Sequence, residues 1–321
     1  MTAPPPIYDF TGKRVFVAGH GGMVGSALVR RLAAEEAEVV TASRAIDLTD
    51  QQGVREWFAA NRPDAVIVAA AKVGGILAND SEPVPFLYDN LMIAANVIEA
   101  AARSGAEKLL MLGSSCAYPR EADQPICEDA LLSGPLEPTN QWYAVAKIAG
   151  IKLAEAHAVQ HGRDFLSAMP CNLYGPGDNF DPLTSHVLPA LIRRAHEARI
   201  DGAEKLVVWG TGTPRREFLH VDDLADGCIH VMRHRKGPGL VNIGSGQDIA
   251  IAALARKIVE IVGFEGELVF DPAKPDGTPR KLMDSGEMEA LGWSPSVGLE
   301  EGLRGAYDWY LENGARNGPG G

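Results

Sequence analysis

Residues 14–18 form a short apolar, β-prone run that leads directly into Gly19-His20-Gly21-Gly22-Met23-Val24-Gly25 and then into an amphipathic stretch, residues 26–36. The order strand, glycine turn, helix leaves few folds open. One glycine permits the tight turn, one lets the backbone approach an anion, and one lets the helix pack closely on the strand while its first N–H groups face outward. The same triplet also fits a plain strand-to-helix turn, so its context decides. Further apolar runs recur at 38–41, 65–70, 108–113 and 165–169, separated by helical patterns such as 51–60 and 90–103. Strands alternating with helices of this length predict an α/β fold with a doubly wound parallel sheet of Rossmann type, covered on both faces.

Beyond Pro170 the rhythm breaks into a segment rich in Gly, Pro, Asn and Asp. A second region follows, with helices expected at 186–198 and 250–262 and a return strand at 240–243. The chain therefore divides into a nucleotide-binding domain, 1–170, with a return segment at about 217–245, and a smaller C-terminal α/β substrate-binding domain, 171–216 and 246–321. The tail, 308–321, is expected to fray.

Composition narrows the partners. Lys and Arg number 30 against 42 Asp and Glu, a formal net charge of −12, which argues against nucleic acid but leaves room for a small anion held by local cations. The 35 glycines among 321 residues show no three-residue period, so they mark backbone positions with particular tasks. Cys116, Cys127, Cys171 and Cys228 lack CxxC or finger-like spacing, which implies a reducing compartment with no disulfide framework and no bound metal. Residues 1–10 carry no signal-peptide pattern, and no apolar run reaches the ~18 residues of a membrane span. A cytoplasmic protein without membrane attachment is expected.

Gly19, Gly22, Met23, Val24 and Gly25 are the candidate pyrophosphate turn. The second strand ends in Val39-Val40-Thr41-Ala42-Ser43-Arg44, with no acid where a ribose 2′-hydroxyl is commonly held. Arg44 and its neighbouring hydroxyls suit a 2′-phosphate, favouring NADP over NAD, and Asp47-Leu48 follows where an adenine edge is often contacted. Tyr143-Ala144-Val145-Ala146-Lys147 places a phenol and an ammonium on one helix face. A nearby cation stabilises a phenolate, and the same lysine can hold ribose hydroxyls. Ser114 sits just past the run at 108–113, at the carboxyl end of the sheet where open α/β folds bind ligands.

Glycine turn, strand-end serine and Tyr-x-x-x-Lys in this order resemble the short-chain dehydrogenase/reductase superfamily, and the long second region resembles its extended, nucleotide-sugar branch. Ala69-Ala70-Ala71-Lys72-Val73-Gly74-Gly75-Ile76, Gly113-Ser114-Ser115-Cys116-Ala117-Tyr118-Pro119, Asn172-Leu173-Tyr174-Gly175-Pro176, Asp178-Asn179-Phe180, Ser185-His186-Val187 and residues 209–223 narrow this. Together they resemble the GDP-L-fucose synthase family over residues 13–312. That resemblance implies NADPH as cofactor and a GDP-sugar substrate, GDP-4-dehydro-6-deoxy-D-mannose, epimerised at carbons 3 and 5 and then reduced at the 4-ketone.

The resemblance also implies roles. Ser114 and Tyr143 would contact the reacting oxygen, supported by Lys147. Inversion needs a second acid/base pair. Beside the Ser/Tyr/Lys set the sequence offers Cys116 and His186. By residue type alone each also has an ordinary structural reading, a small buried hydrophobe and a helix-start residue. By resemblance Cys116 is the base and His186 the acid, and Pro170, Asn172, Leu173 and His186 lie along the nicotinamide, with Cys171 where a threonine is common. Arg194, Trp209, Arg216, Asp276 and Lys281 are implied substrate contacts, with Arg193 and Arg215 facing solvent. A homodimer through a four-helix interface, residues 90–103 and the Tyr143 helix of each subunit, is implied as well. A 4-epimerase or a simple 4-ketoreductase of the same superfamily is the nearest rival, and a non-catalytic NADP sensor a more distant one. His157 and His161, spaced like a metal pair but without the Glu of HExxH, read as a solvated helix face. His220-Val221-Asp222-Asp223 reads as a structural corner.

Overall fold

The apolar runs become strands because both of their faces are covered: Ala65–Val68 and Lys108–Leu112 are buried at every position. In the computed structural model, which describes residues 4–42, 46–182, 184–274 and 276–314 (without the side chains of Ile76 and Leu77), the strands in chain order begin with β1 (Arg14–Ala18), β2 (Glu38–Val40), β3 (Ala65–Val68), β4 (Lys108–Leu112) and β5 (Asp164–Pro170). Next come β6 (Asn172–Tyr174), β7 (Lys205–Trp209), β8 (Arg215–His220) and β9 (Leu240–Ile243). The last are β10 (Asp248–Ala250), β11 (Glu267–Asp271) and β12 (Arg280–Lys281).

A six-stranded, wholly parallel sheet has the order β2-β1-β3-β4-β5-β9. The chain steps outward from β1 to β2 and then returns past β1 to β3. That reversal opens a crevice at the carboxyl ends of β1 and β3, where ligands of such sheets bind.

The helices flanking this sheet start where local chemistry dictates. Helix α1 (Met23–Leu32) follows its N-cap Gly22 and begins three residues earlier than the amphipathic pattern suggests, and a single further turn ends at Glu36 in the left-handed region, φ 53°. Helix α2 (Gln51–Asn61) is capped by Asp50, whose carboxylate accepts from the N–H groups of Gln52 and Gly53. After α3 (Ile76–Ser81), α4 (Pro83–Ser104) begins seven residues before the expected start at 90. Pro83 and Pro85 suggest a break, but in a first turn their missing N–H groups have no intrahelical partner to lose. Helix α5 (Gln141–His161) packs on α4 and on β4 and β5.

The remaining elements build a second layer system. β6, β8, β10 and β12 form one small sheet and β7 with β11 another. Helix α6 (Val187–Ile200), then α8 (Ile251–Val262) and α10 (Leu299–Trp309) cover them, around an apolar cluster that includes Leu191, Leu254, Ile258 and Leu303. Between these, α7 (Val221–His234) packs against α1, and the short α9 (Gly286–Ala290) against β9. The expected fraying from residue 308 is not observed through Gly314. The chain stays helical there because Tyr310 is buried against Phe180, ring centroids 4.8 Å apart. Residues 315–321 lie outside the described residues.

Candidate active site

The glycine turn is built by steric necessity. A Cβ on Gly19, whose φ is +87°, would stand 2.7 Å from the Ala70 backbone, and one on Gly25 would overlap the Gly19 carbonyl. A Cβ on Gly22 would meet little: its nearest neighbour would be the Gly19 oxygen at 3.5 Å. Gly22 thus leaves open space in front of the first N–H groups of α1, at Met23 and Val24, which is where a dinucleotide pyrophosphate would lie. These residues fit an NADP cofactor.

Around that turn the other candidates vary in their freedom. Arg44 lies outside the described residues. Asp47 is engaged by Thr49, accepting from its N–H at 2.8 Å and its hydroxyl at 2.7 Å, which holds the carboxyl below its ordinary pKa. The Leu48 carbonyl accepts from Asn96, a buried amide on α4. Pro170 closes β5, Leu173 is half-buried, and the Asn172 amide donates to the Glu217 carbonyl at 2.8 Å. The Cys171 thiol is buried against the Asn172 carbonyl, and burial pushes its pKa well up.

The reactive groups collect at the end of β4. Ser114 follows Gly113 in extended backbone, and a short 3₁₀ turn, Ser115–Ala117, brings Cys116 back so that its Sγ lies 3.2 Å from Ser114 Oγ. Ser114 is near enough to the Tyr143 phenol to oppose the rise of its pKa, and Phe86 packs edge-on to the Tyr143 ring at 6.5 Å. The side chain of Lys147, one helical turn along, is buried, with its ammonium 5.7 Å from the Tyr143 ring centre and donating to the Leu112 carbonyl at 2.9 Å. Two of its three hydrogens remain for a ligand.

Burial dominates the electrostatics. It pushes the Tyr143 phenol up, with the Cys116 charge adding to the rise and the Ser114 hydrogen bond opposing it. No lowering by Lys147 is resolved, contrary to the simple expectation for a phenol beside a lysine. Lys147 itself is pushed down to about 8 by burial. Burial also raises the Cys116 thiol, opposed by Lys281, Ser114 and Lys147.

His186 precedes α6 in extended backbone, and its side chain makes no capping hydrogen bond. The residue is exposed to solvent, and desolvation by the surrounding protein lowers its pKa. Its turn is held by the Gly74-Gly75 loop, which is pinned by two asparagines, Asn79 and Asn90, that sequence reasoning did not single out. The Gly75 N–H donates to the Thr184 carbonyl at 2.8 Å, and Asn79 donates to the Gly74 and Gly75 carbonyls. Asn90, buried in α4, clamps both the N–H and the carbonyl of Lys72. The available signal was an asparagine on an otherwise apolar helix face.

Among the expected substrate contacts, Trp209 ends β7 with its ring 56% exposed and the Lys274 ammonium 5.4 Å from its centre. Arg194 reaches from α6 to the Val207 carbonyl in the same strand. Arg216 and Lys281 are register partners on the parallel strands β8 and β12, and burial lowers the pKa of both. Two cations side by side make an anion site. Asp276 is already committed: its two oxygens accept from the Thr211 N–H at 2.9 Å and hydroxyl at 2.7 Å, which pins the turn between β7 and β8.

Several sequence readings change. Arg193, expected in solvent, is mostly covered and paired with Glu197 at 3.4 Å, whereas Arg215 is half-exposed and paired with Asp248 at 2.6 Å. His157 is not solvated; it packs on Phe165 and pairs with Glu99 at 3.2 Å because α5 lies against α4. His220 caps α7, and Asp223 holds the backbone of Ser296 and Val297. Glu217, wholly buried, was missed; it accepts from the N–H groups of Gly246 and Met283 and ties β8 to the two segments that carry them. Among the described residues there is no cluster of three metal-ligating side chains and no helix long and apolar enough to cross a membrane.

Comparison with known proteins agrees with this geometry. Residues 15–244 match the NAD dependent epimerase/dehydratase family. The chain is 58% identical to a probable GDP-L-fucose synthase 1 of Oryza sativa subsp. japonica, covering 94% of this chain and 93% of that protein. It is 55% identical to a GDP-L-fucose synthase of Sinorhizobium fredii, covering 97% and 100%. A GDP-L-fucose synthetase from Naegleria fowleri, solved bound to NADP, superposes with a TM-score of 0.89 at 29% identity, covering 98% of this chain and 97% of that one. With its glycine turn, its Ser-Tyr-Lys set and relatives matched almost end to end, this chain belongs to the GDP-L-fucose synthase family of NAD-dependent epimerase/dehydratases.

Proposed function

We propose that this protein is an NADPH-dependent epimerase-reductase that converts GDP-4-dehydro-6-deoxy-D-mannose to GDP-L-fucose, using two acid/base sets in one cleft. The observation that carries the reading is the grouping at the end of β4, where Cys116 Sγ lies 3.2 Å from Ser114 Oγ, beside the Tyr143 phenol. Carbons 3 and 5 flank the ketone, so removing a proton from either yields an enolate whose charge rests on the carbonyl oxygen. Ser114 and Tyr143 hold that oxygen as hydrogen-bond donors. Cys116, as thiolate, takes the carbon-bound proton. His186 returns one to the opposite face, which inverts the centre. Its lowered pKa makes the protonated ring a stronger acid, and its opening to solvent lets it reload.

Reduction reuses the same oxygen site. When bound along Gly22 and Lys147, NADPH supplies the hydride for carbon 4. Tyr143 delivers the proton to the oxygen, a task suited to a phenol that burial keeps neutral. Trp209 offers a stacking surface for guanine, while Arg194, Arg216 and Lys281 face the diphosphate.

A homodimer is part of the proposal. Val84, Tyr88 and Leu91 recur at helical spacing on α4 and are exposed, as are Trp142 and Val145 on α5. Pairing of α4 and α5 across a two-fold axis would cover this stripe. Four free cysteines suit a cytoplasmic site.

The test supplies the GDP-4-keto sugar and NADPH in deuterated water. The expected result is cofactor oxidation with deuterium at carbons 3 and 5. Oxidation without deuterium would mark a plain 4-ketoreductase, and no turnover would refute the enzyme reading.

A further inference from the structure

Two connections run side by side in the second layer system, and the proposed GDP contacts lie at their ends. The turn from β7 to β8 leaves Trp209 and arrives at Arg215 and Arg216, while the segment from β11 to β12 leaves Asp271 and arrives at Arg280 and Lys281. In register, Trp209 pairs with Asp271 and Arg216 with Lys281. Backbone bonds tie the two connections at both ends: the Gly210 N–H donates to the Asp271 carbonyl at 2.9 Å, and the Arg215 N–H to the Pro279 carbonyl at 2.8 Å.

Between those ends a side chain makes the link. Asp276 accepts from the Thr211 N–H at 2.9 Å and from the Thr211 hydroxyl at 2.7 Å. The β7–β8 turn has other fastenings, because its Gly212 and Pro214 carbonyls accept from the Ala252 and Ile251 N–H groups of α8 at 2.9 Å each. The β11–β12 segment is therefore the part that the Thr211–Asp276 link restrains. That segment carries Lys274, whose ammonium is 5.4 Å from the Trp209 ring centre, and Gly277, where a Cβ would stand 2.8 Å from an Arg216 guanidinium nitrogen. Asp276 falls between the two in sequence, so its anchorage governs how the segment lies along both Trp209 and Arg216.

We propose that Thr211 is a positioning residue for GDP-sugar binding: through Asp276 it holds the β11–β12 segment as one wall shared by the guanine end and the diphosphate end of the site. This rests on the reading of Trp209, Arg216 and Lys281 as the GDP contacts. A nucleoside diphosphate has a fixed reach from base to phosphates, so it gains from a wall already set to engage both ends at once. Inorganic pyrophosphate engages the cations alone and does not feel that alignment.

The test is calorimetric titration of the NADP-saturated protein with GDP and with inorganic pyrophosphate, comparing wild type with Thr211→Val and Thr211→Ser. Valine keeps the shape of threonine and the backbone bond to Asp276 but removes the hydroxyl. GDP affinity should fall about threefold to tenfold in Thr211→Val, with pyrophosphate affinity unchanged, and Thr211→Ser should restore GDP binding. Unchanged GDP affinity in Thr211→Val would overturn the proposal. So would an equal loss for both ligands, which marks general damage to the cation pair, or a serine variant as weak as valine. Arg216→Met separates the two levels of the argument: it should weaken both ligands, and if it weakens neither, the reading of the GDP site itself fails.

Discussion

Replacing Asp178 with asparagine should make the protein's stability less sensitive to alkali, by an amount the structure allows us to work out. Asp178 lies in the loop between β6 and α6 that ends at His186, and it is only 9% exposed. One carboxyl oxygen accepts from the Asn179 N–H at 2.7 Å; the other is buried without a partner. Burial raises its pKa from 3.8 to about 7, opposed only by that N–H. The neighbouring Gly177 packs on the start of α1, at Met23 and Ser26, so uncharged groups surround the turn there. The folded state therefore binds this proton more tightly than the unfolded chain. The stabilising contribution is fully present below the unfolded pKa of about 4, falls by about 1.4 kcal/mol per pH unit, and is lost as pH rises through about 7. Across the whole window the loss comes to about 4 kcal/mol. Asparagine cannot ionise but keeps an oxygen for the Asn179 N–H, at a pH-independent cost of about 1–3 kcal/mol for its unpartnered amide. Urea unfolding midpoints of both proteins between pH 5 and 8 provide the assay. The stability difference should move in favour of Asp178→Asn by about 2 kcal/mol from pH 5 to 7 and level off above pH 7. A difference that stays flat with pH would refute the reasoning.

Other perturbations follow from the same geometry. Gly25→Ala would drive a methyl group into the Gly19 carbonyl, and NADPH affinity, read by fluorescence titration, should fall by about tenfold or more. Lys108→Met should destabilise the fold by about 3 kcal/mol in urea unfolding, because it strands the carboxylate of Asp164, 2.7 Å away, and the Arg235 carbonyl beside a fully buried site. Tyr143→Phe should cut the rate of NADPH oxidation by about a hundredfold or more. Proton exchange at carbons 3 and 5 should persist in that variant, as a deuterium assay would show.

What could be read along the chain was what local rules encode. The glycine turn was legible because the overlap at Gly19 and Gly25 leaves only glycine there, and Tyr143 and Lys147 because one helical turn sets them on one face. The parallel sheet followed from the alternation of apolar runs with helices, whereas its strand order came only with the structure. What escaped notice depends on contacts across the fold. Glu217 looks like any strand acid until Gly246 and Met283 arrive from 29 and 66 residues away. Asn90 is one polar residue in a long helix until Lys72 comes to it. The α4 start lies seven residues before the expected 90, in a first turn that carries Pro83 and Pro85, where their missing N–H groups cost nothing. The bond from the Leu282 N–H to Gln124 joins segments 158 residues apart.

The central claim is that one cleft holds two separable acid/base sets, and Cys116→Ser tests it most directly. In deuterated water with the GDP-4-keto sugar, the variant should lose most deuterium incorporation at carbons 3 and 5 yet still oxidise NADPH when given an already epimerised ketone. Wild-type incorporation by Cys116→Ser would contradict the account.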